Sequence, residues 1–180
     1  EHGVGVGYTR TQKGAVAAAA NYTKALSSDK ILDDDWRGRA IDTLAAPQAK
    51  ARLRKTFAQA VVSLRKGLGV SAAGDGSQVL LRATPVGWRM DRYGGGTAKV
   101  AIWVTSIAGS LGGDQGPVPI LEGWGTTTAE LRWVQGDWKL LSTTTAEGPV
   151  PIADVSPPTA AAELVDEAAK FKEFTYAPGS

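Results

Sequence analysis

With 180 residues, 43% of them hydrophobic and 21% charged, and a formal net charge of +2, the chain has the composition of one globular domain with at most a tail. It contains no cysteine, which excludes disulfides, thiolate nucleophiles and cysteine-held metal, and the charge balance is too mild to point to nucleic acid. No apolar run reaches the length of a membrane span, and since the chain begins at Glu1 rather than Met, an upstream signal or anchor stays open.

Residues 1–8, "EHGVGVGY", read as a flexible leader; their G-x-G-x-G lacks the preceding strand and following lysine of a phosphate loop. The single domain is expected over 9–150. Thr9 or Thr11 opens a first helix, with Thr9 and Gln12 matching a capping box. Ala15, Val16, Ala19, Ala20, Tyr22 and Leu26 then form a narrow apolar face whose alanines permit close approach, and Ser27, Ser28 and Asp29 end it. Asp33–Asp35 cap a second helix that presents Trp36, Ala40, Ile41 and Leu44. Three consecutive aspartates complement a helix dipole better than they match the alternating ligands of a calcium loop. Pro47 starts a third helical region carrying Leu53, Phe57, Ala60, Val61, Leu64 and Leu68, closed by Arg65, Lys66 and the glycines at 67 and 69. The first seventy residues hold 12 basic against 6 acidic side chains, and that excess reads as a solvated helix surface, with an anionic partner such as lipid headgroups, nucleic acid or an acidic protein as the alternative.

Residues 78–147 are rich in Val, Ile, Thr and Trp with glycine turns, the texture of an antiparallel sheet. A three-residue loop at 94–96 pairs Met90 with Val100, Trp88 with Ile102 and Val86 with Val104. It leaves Asp91 opposite Lys99 and Trp103 opposite Gly87 on the other face. Gly87 beside Pro85 is the expected bulge. A tight turn at Gln135-Gly136 sets Trp133 across from Trp138 and Leu131 across from Leu140, with Glu130, Arg132 and Lys139 facing away. "GSLGGDQGPVPILEG", 109–123, reads as a long connection able to carry an interaction. Residues 151–180 read as a linker and a C-terminal amphipathic helix, capped by Thr159 and carrying Leu164, Val165, Ala168 and Phe171.

Helices first and then a strongly curved antiparallel sheet give an α+β fold, with the helices packed on a cone-like sheet. The helix "GAVAAAANYTKAL", the region 47–68 and the closing hairpin "AELRWVQGDWKLLSTTTAEGP" resemble the nuclear-transport-factor-two-like superfamily, also called cystatin-like, over about residues 9–150. Within it, the alanine- and glycine-rich style resembles extracytoplasmic domains of actinobacterial conjugation or type IV secretion assembly proteins. That resemblance implies a non-catalytic, membrane-tethered scaffold outside the cytoplasm, with a protein partner or self-association.

The single histidine is His2, so a Ser-His-Asp triad or histidine zinc site within the folded body is excluded. Superfamily enzymes often use carboxylates, tyrosines or arginines at the cone mouth, which brings Asp91, Arg89, Glu122, Glu130 and Tyr93 into view. The register puts Asp91 and Arg89 on the polar face with Lys99, where a carboxylate stays solvated and ionised. No catalytic residue, metal or cofactor is therefore expected, and no nucleic acid. The candidate interaction surface is Arg89, Asp91, Lys99, Trp103, Glu130, Arg132 and Lys139. The competing expectation is a cavity for an apolar ligand lined by Phe57, Trp88, Met90, Trp133 and Trp138.

Overall fold

The computed structural model describes residues 3–71, 78–112, 116–151 and 169–172. Three helices, α1 (Gln12–Leu26), α2 (Asp34–Leu44) and α3 (Lys50–Gly67), are joined by short 3-10 turns at Asp29–Leu32 and Pro47–Ala49. Four strands follow: β1 (Val79–Gly94), β2 (Thr97–Ser110), β3 (Val118–Val134) and β4 (Asp137–Glu147). They form one open antiparallel sheet in the order β1-β2-β3-β4. The protein is therefore α+β, with the helices preceding the sheet. The expected C-terminal helix falls largely on residues 152–168 and 173–180, outside the described residues.

The helix caps follow the local sequence. Asp33 accepts a hydrogen bond from Trp36 N–H at 2.9 Å and opens α2, while Asp34 pairs with Arg37 at 2.8 Å. In α1 the cap is Thr11 rather than Thr9, its Oγ1 accepting from Gly14 N–H at 3.0 Å. The Thr9 hydroxyl is 2.9 Å from that of Thr11, and the Thr9 carbonyl accepts from Thr11 N–H at 2.8 Å. Thr9 thus belongs to a turn that folds the incoming chain over the first turn of α1.

That close approach requires Gly14. A Cβ there would collide with the Thr9 carbonyl oxygen and lie 2.9 Å from its carbon. Alanine normally stabilises a helix by about 1 kcal/mol over glycine. Gly14→Ala is expected to reverse that sign, costing about 1–3 kcal/mol in urea denaturation as the backbone shifts to relieve the clash.

The alanines of α1 let it lie close against the sheet, where it touches all four strands. Ala15, Ala18 and Ala19 are fully buried, as are Tyr22 and, on the strands beneath, Val100, Ile102, Leu131, Trp138 and Leu140. This is the inner face of the sheet. α3 packs less completely: Leu53 and Val61 are buried, but Ala60 is exposed and Val62 is 69% exposed.

The turn at Gln135-Gly136 is as expected, with φ +55° and +76°, and Trp133 lies opposite Trp138 and Leu131 opposite Leu140. The first hairpin differs in detail. Its loop has two residues, Gly95 and Gly96, with Gly94 already paired to Thr97. The extra residue is a bulge at Asp91, so Arg92 rather than Asp91 opposes Lys99, and the register of Met90 with Val100 and Trp88 with Ile102 is restored beyond it. A three-residue loop and a two-residue loop plus a bulge place the same residues on the same face. A second shift falls at Val86, beside Pro85 and Gly87 as expected, which leaves Pro85 rather than Val86 opposite Val104. The 109–123 connection is mostly strand, because β2 runs to Ser110 and β3 starts at Val118.

The segment read as a flexible leader is docked. Val4 is 3% exposed, and the amides of Gly7 and Tyr8 donate to the two carboxylate oxygens of Asp137 at 3.1 and 3.0 Å. Trp138 N–H donates to the same carboxylate at 2.9 Å, Lys139 Nζ lies 3.2 Å from it, and the Trp138 indole N–H donates to the Thr9 carbonyl at 2.9 Å. A buried carboxylate is tolerated here because backbone donors and a cation surround it.

Candidate functional site

The two faces of the sheet differ in chemistry. On the inner face the residues expected to line a cavity are instead packed together. Trp133 and Trp138 meet edge to face with ring centroids 5.5 Å apart, and Tyr22 Oη donates to the Trp138 carbonyl at 2.6 Å. Trp88, Met90, Trp133 and Phe57 are half-buried against the same core. A pocket of about 60 Å³ lies among α1, α3 and β3–β4, and of the five expected residues Phe57 lines it, while Trp138 lines a separate open hollow with Arg10 and Tyr93. The neighbours of Phe57 in its pocket are Tyr22, Thr23, Thr127, Thr143 and Thr145, without a carboxylate. Burial pushes the Tyr22 phenol well above its ordinary range, and the charge of Asp137 adds to the effect. Tyr8, 5.8 Å from Tyr22 in a T-shaped pair, is raised to about 12, first by burial; Asn21 opposes the shift and Asp137 adds to it. Both stay neutral phenols in ordinary buffers.

The outer face carries the charged residues. Register and strand alternation put Arg89 beside Ala101, Thr128 and Thr144 in one row, and Gly87, Trp103, Thr126 and Ala146 in the next. Lys99 reaches Glu130 at 3.7 Å, and Glu130 accepts from the Ser142 hydroxyl at 2.9 Å. The bulge turns Asp91 back to its own strand, where it pairs with Arg89 Nε at 2.8 Å. Such partly exposed pairs contribute on the order of 0–1 kcal/mol, so they shape the surface more than they hold the fold. Arg132 is exposed.

Two of the expected surface residues are occupied. Lys139, with only 14% of its side chain exposed, bends to the Thr43 carbonyl at the end of α2 and to Asp137. Trp103 is flanked by Trp124 at 5.2 Å and Phe171 at 5.6 Å, and its indole N–H donates to the Pro149 carbonyl at 2.9 Å. The chain returns here: Lys172 pairs with Trp88 along the β1 edge, and Phe171 sits over Gly87, where a Cβ would lie 3.1 Å from that of Phe171. The glycine read as a bulge signal therefore also makes room for a distant aromatic. Between Phe171 and the end of β4 lies an open groove of about 400 Å³, with Arg89, Thr126, Thr128, Thr144 and Glu147 among its walls.

Of the groups considered for catalysis, Asp91 pairs with Arg89, Glu130 with Lys99 and Ser142, and Glu122 accepts from the Trp124 indole at 3.2 Å. Tyr93 sits at the rim of the first hairpin, 43% exposed. Each of these carboxylates thus has its own partner on a different part of the sheet, and among the described residues no group of three or more His, Cys, Asp or Glu side chains could hold a metal ion. The residue missed from sequence is Asp137. In "QGDWK" it looks like an ordinary turn aspartate, and nothing local shows that the N-terminal segment supplies its partners.

The molecule is thus an α+β domain with one sheet face packed against its helices and a charged, hydroxyl-rich opposite face. It belongs to the family described as a domain of unknown function, DUF8175, whose model matches residues 1–160. Among solved structures it is similar to the intermembrane space region of the chloroplast protein ARC6, at 12% identity and a TM-score of 0.45, over 78% of this chain and 97% of that one. Comparison with curated proteins finds no match.

Proposed function

We propose that the chain is a non-catalytic protein-interaction domain that offers the outer face of its sheet to a protein partner or to a second copy. The observation that carries this is the packing of the opposite face: the pocket that Phe57 shares with α1, β3 and β4 is about 60 Å³ and is lined without a carboxylate. Sites for small apolar ligands run to roughly 300–1,000 Å³, so the competing reading of an apolar-ligand or enzymatic cone has little room there. The bulges at Val86 and Asp91 supply local bending of the kind a sheet needs to wrap α1, which supports the cone-like form of the nuclear-transport-factor-two-like superfamily.

The likeness of the alanine-rich helix and the closing hairpin to actinobacterial assembly proteins supports a place in a conjugation or secretion-type apparatus, as the extracytoplasmic part of a membrane-anchored component. No helix among the described residues is long and apolar enough to cross a membrane, so the tether in this reading lies elsewhere in the parent protein.

Sedimentation velocity over a wide concentration range, with pull-down from native envelope membranes, tests the proposal. Lys99→Glu combined with Arg132→Glu is expected to weaken the association roughly tenfold or more, because charge reversal meets a surface selected for the opposite sign. A chain that stays monomeric throughout and retains no protein through this face would overturn it.

A further inference from the structure

The two hairpin turns are alike in backbone and unlike in sequence. Gln135-Gly136 turns with φ +55° and +76°, Gly95-Gly96 with +58° and +72°. Gln135 shows that the first turn position accepts a side chain. A Cβ on Gly95 would meet nothing within 4 Å, so packing does not demand glycine there either. What glycine leaves at this position is bare backbone. Neither the Gly95 nor the Gly96 N–H has an acceptor among the described residues.

These two glycines belong to the wall of an open hollow of about 280 Å³, lined by Arg10, Tyr93, Gly94, Gly95, Gly96 and Trp138. The Arg10 guanidinium lies 5.8 Å from the Trp133 ring centre, and its Nη2 is 3.6 Å from the point a Gly96 Cβ would occupy. That position over the indole holds the guanidinium beside the turn, and among the described residues its N–H groups have no acceptor. Among the described residues no carboxylate pairs with Arg10, and no lining residue is acidic. Asp137, on the neighbouring hairpin, is held by the amides of Gly7, Tyr8 and Trp138 and by Lys139. Tyr93 tilts against Trp138 with centroids 6.0 Å apart and presents a half-exposed ring at the rim.

We propose that this hollow binds a phosphate monoester. The phosphate would lie between the Arg10 guanidinium and the Gly95 and Gly96 amides, with the first atoms of its organic part against Tyr93. A guanidinium fork takes two oxygens of an oxyanion side by side, and successive turn amides form an anion-binding concavity. Donors arriving from a side chain and from a turn serve an anion with three free oxygens better than a planar carboxylate with two. The site is separate from the outer face and does not depend on the interaction reading. The same chemistry is offered by a soluble phosphate ester and by the headgroup of a phosphatidic-acid surface.

The test is titration of the full ¹⁵N-labelled chain with inorganic phosphate, with parallel co-sedimentation on vesicles containing either phosphatidic acid or phosphatidylglycerol at matched charge. The Gly95 and Gly96 amide resonances are expected to move saturably with phosphate. Arg10→Gln and Gly95→Asn are each expected to weaken that response roughly tenfold or more. Asparagine tolerates the φ of position 95, so an otherwise unchanged spectrum separates lost binding from lost folding. Retention on phosphatidic acid over phosphatidylglycerol, lost with Arg10→Gln, assigns the lipid headgroup. A phosphate response without vesicle retention assigns a soluble ester. Amides unmoved by phosphate, or a response equally strong in both variants, overturn the proposal.

Discussion

Trp138→Ala is expected to destabilise the domain by about 3–5 kcal/mol, a large share of the roughly 5–15 kcal/mol available to a single domain. Trp138 is 1% exposed, packs edge to face on Trp133, and holds the Thr9 carbonyl through its indole N–H. Its removal empties the centre of the inner face and takes away one of the two hydrogen bonds that carbonyl accepts, leaving the one from Thr11 N–H. Trp103→Ala, on the outer face, is expected to cost less, because Phe171 and Trp124 can close over the gap. Urea denaturation of the two variants side by side reads the contrast. An equal loss in both would mean that the fold does not rest on the inner face.

Asp137→Ala is the second large effect, expected at about 3–5 kcal/mol, the range for removing one member of a buried, hydrogen-bonded charge pair. The substitution leaves the amides of Gly7 and Tyr8 without an acceptor and Lys139 without its carboxylate. Its signature is local as well as global. Hydrogen exchange at Gly7 and Tyr8, whose amides are bonded to Asp137 in the wild type, should rise far more than exchange in β2, and limited proteolysis should cut before α1. Unchanged protection at those two amides would show that Asp137 does not hold the segment.

Local signals in the sequence were enough for the elements that depend on neighbours in the chain. Asp33 announces α2, because capping needs only the next three residues. Gln135-Gly136 announces the closing hairpin, because alternation on either side leaves one register that pairs the tryptophans. Features built from distant parts were not legible. "EHGVGVG" has no periodicity, yet Val4 is buried, since what holds the segment lies some 130 residues onward at Asp137. The Asp91 bulge was hidden for a different reason: two loop lengths give identical faces beyond it, so alternation cannot choose between them. The outer sheet face was legible as a set of alternating residues, but the exposure of each side chain on it was not. Lys139 alternates onto it correctly, then uses the length of its side chain to reach around the sheet edge to Thr43.

The docked N-terminal segment has a mechanical consequence. Traction applied upstream of Gly3 would not unwind α1 first. It would load the Asp137 carboxylate and the Trp138 indole together, passing tension into the closing hairpin before the helix feels it. The grip is a cluster of bonds that must give way almost at once, so the domain is built to resist a steady pull from that end and to let go abruptly when it fails.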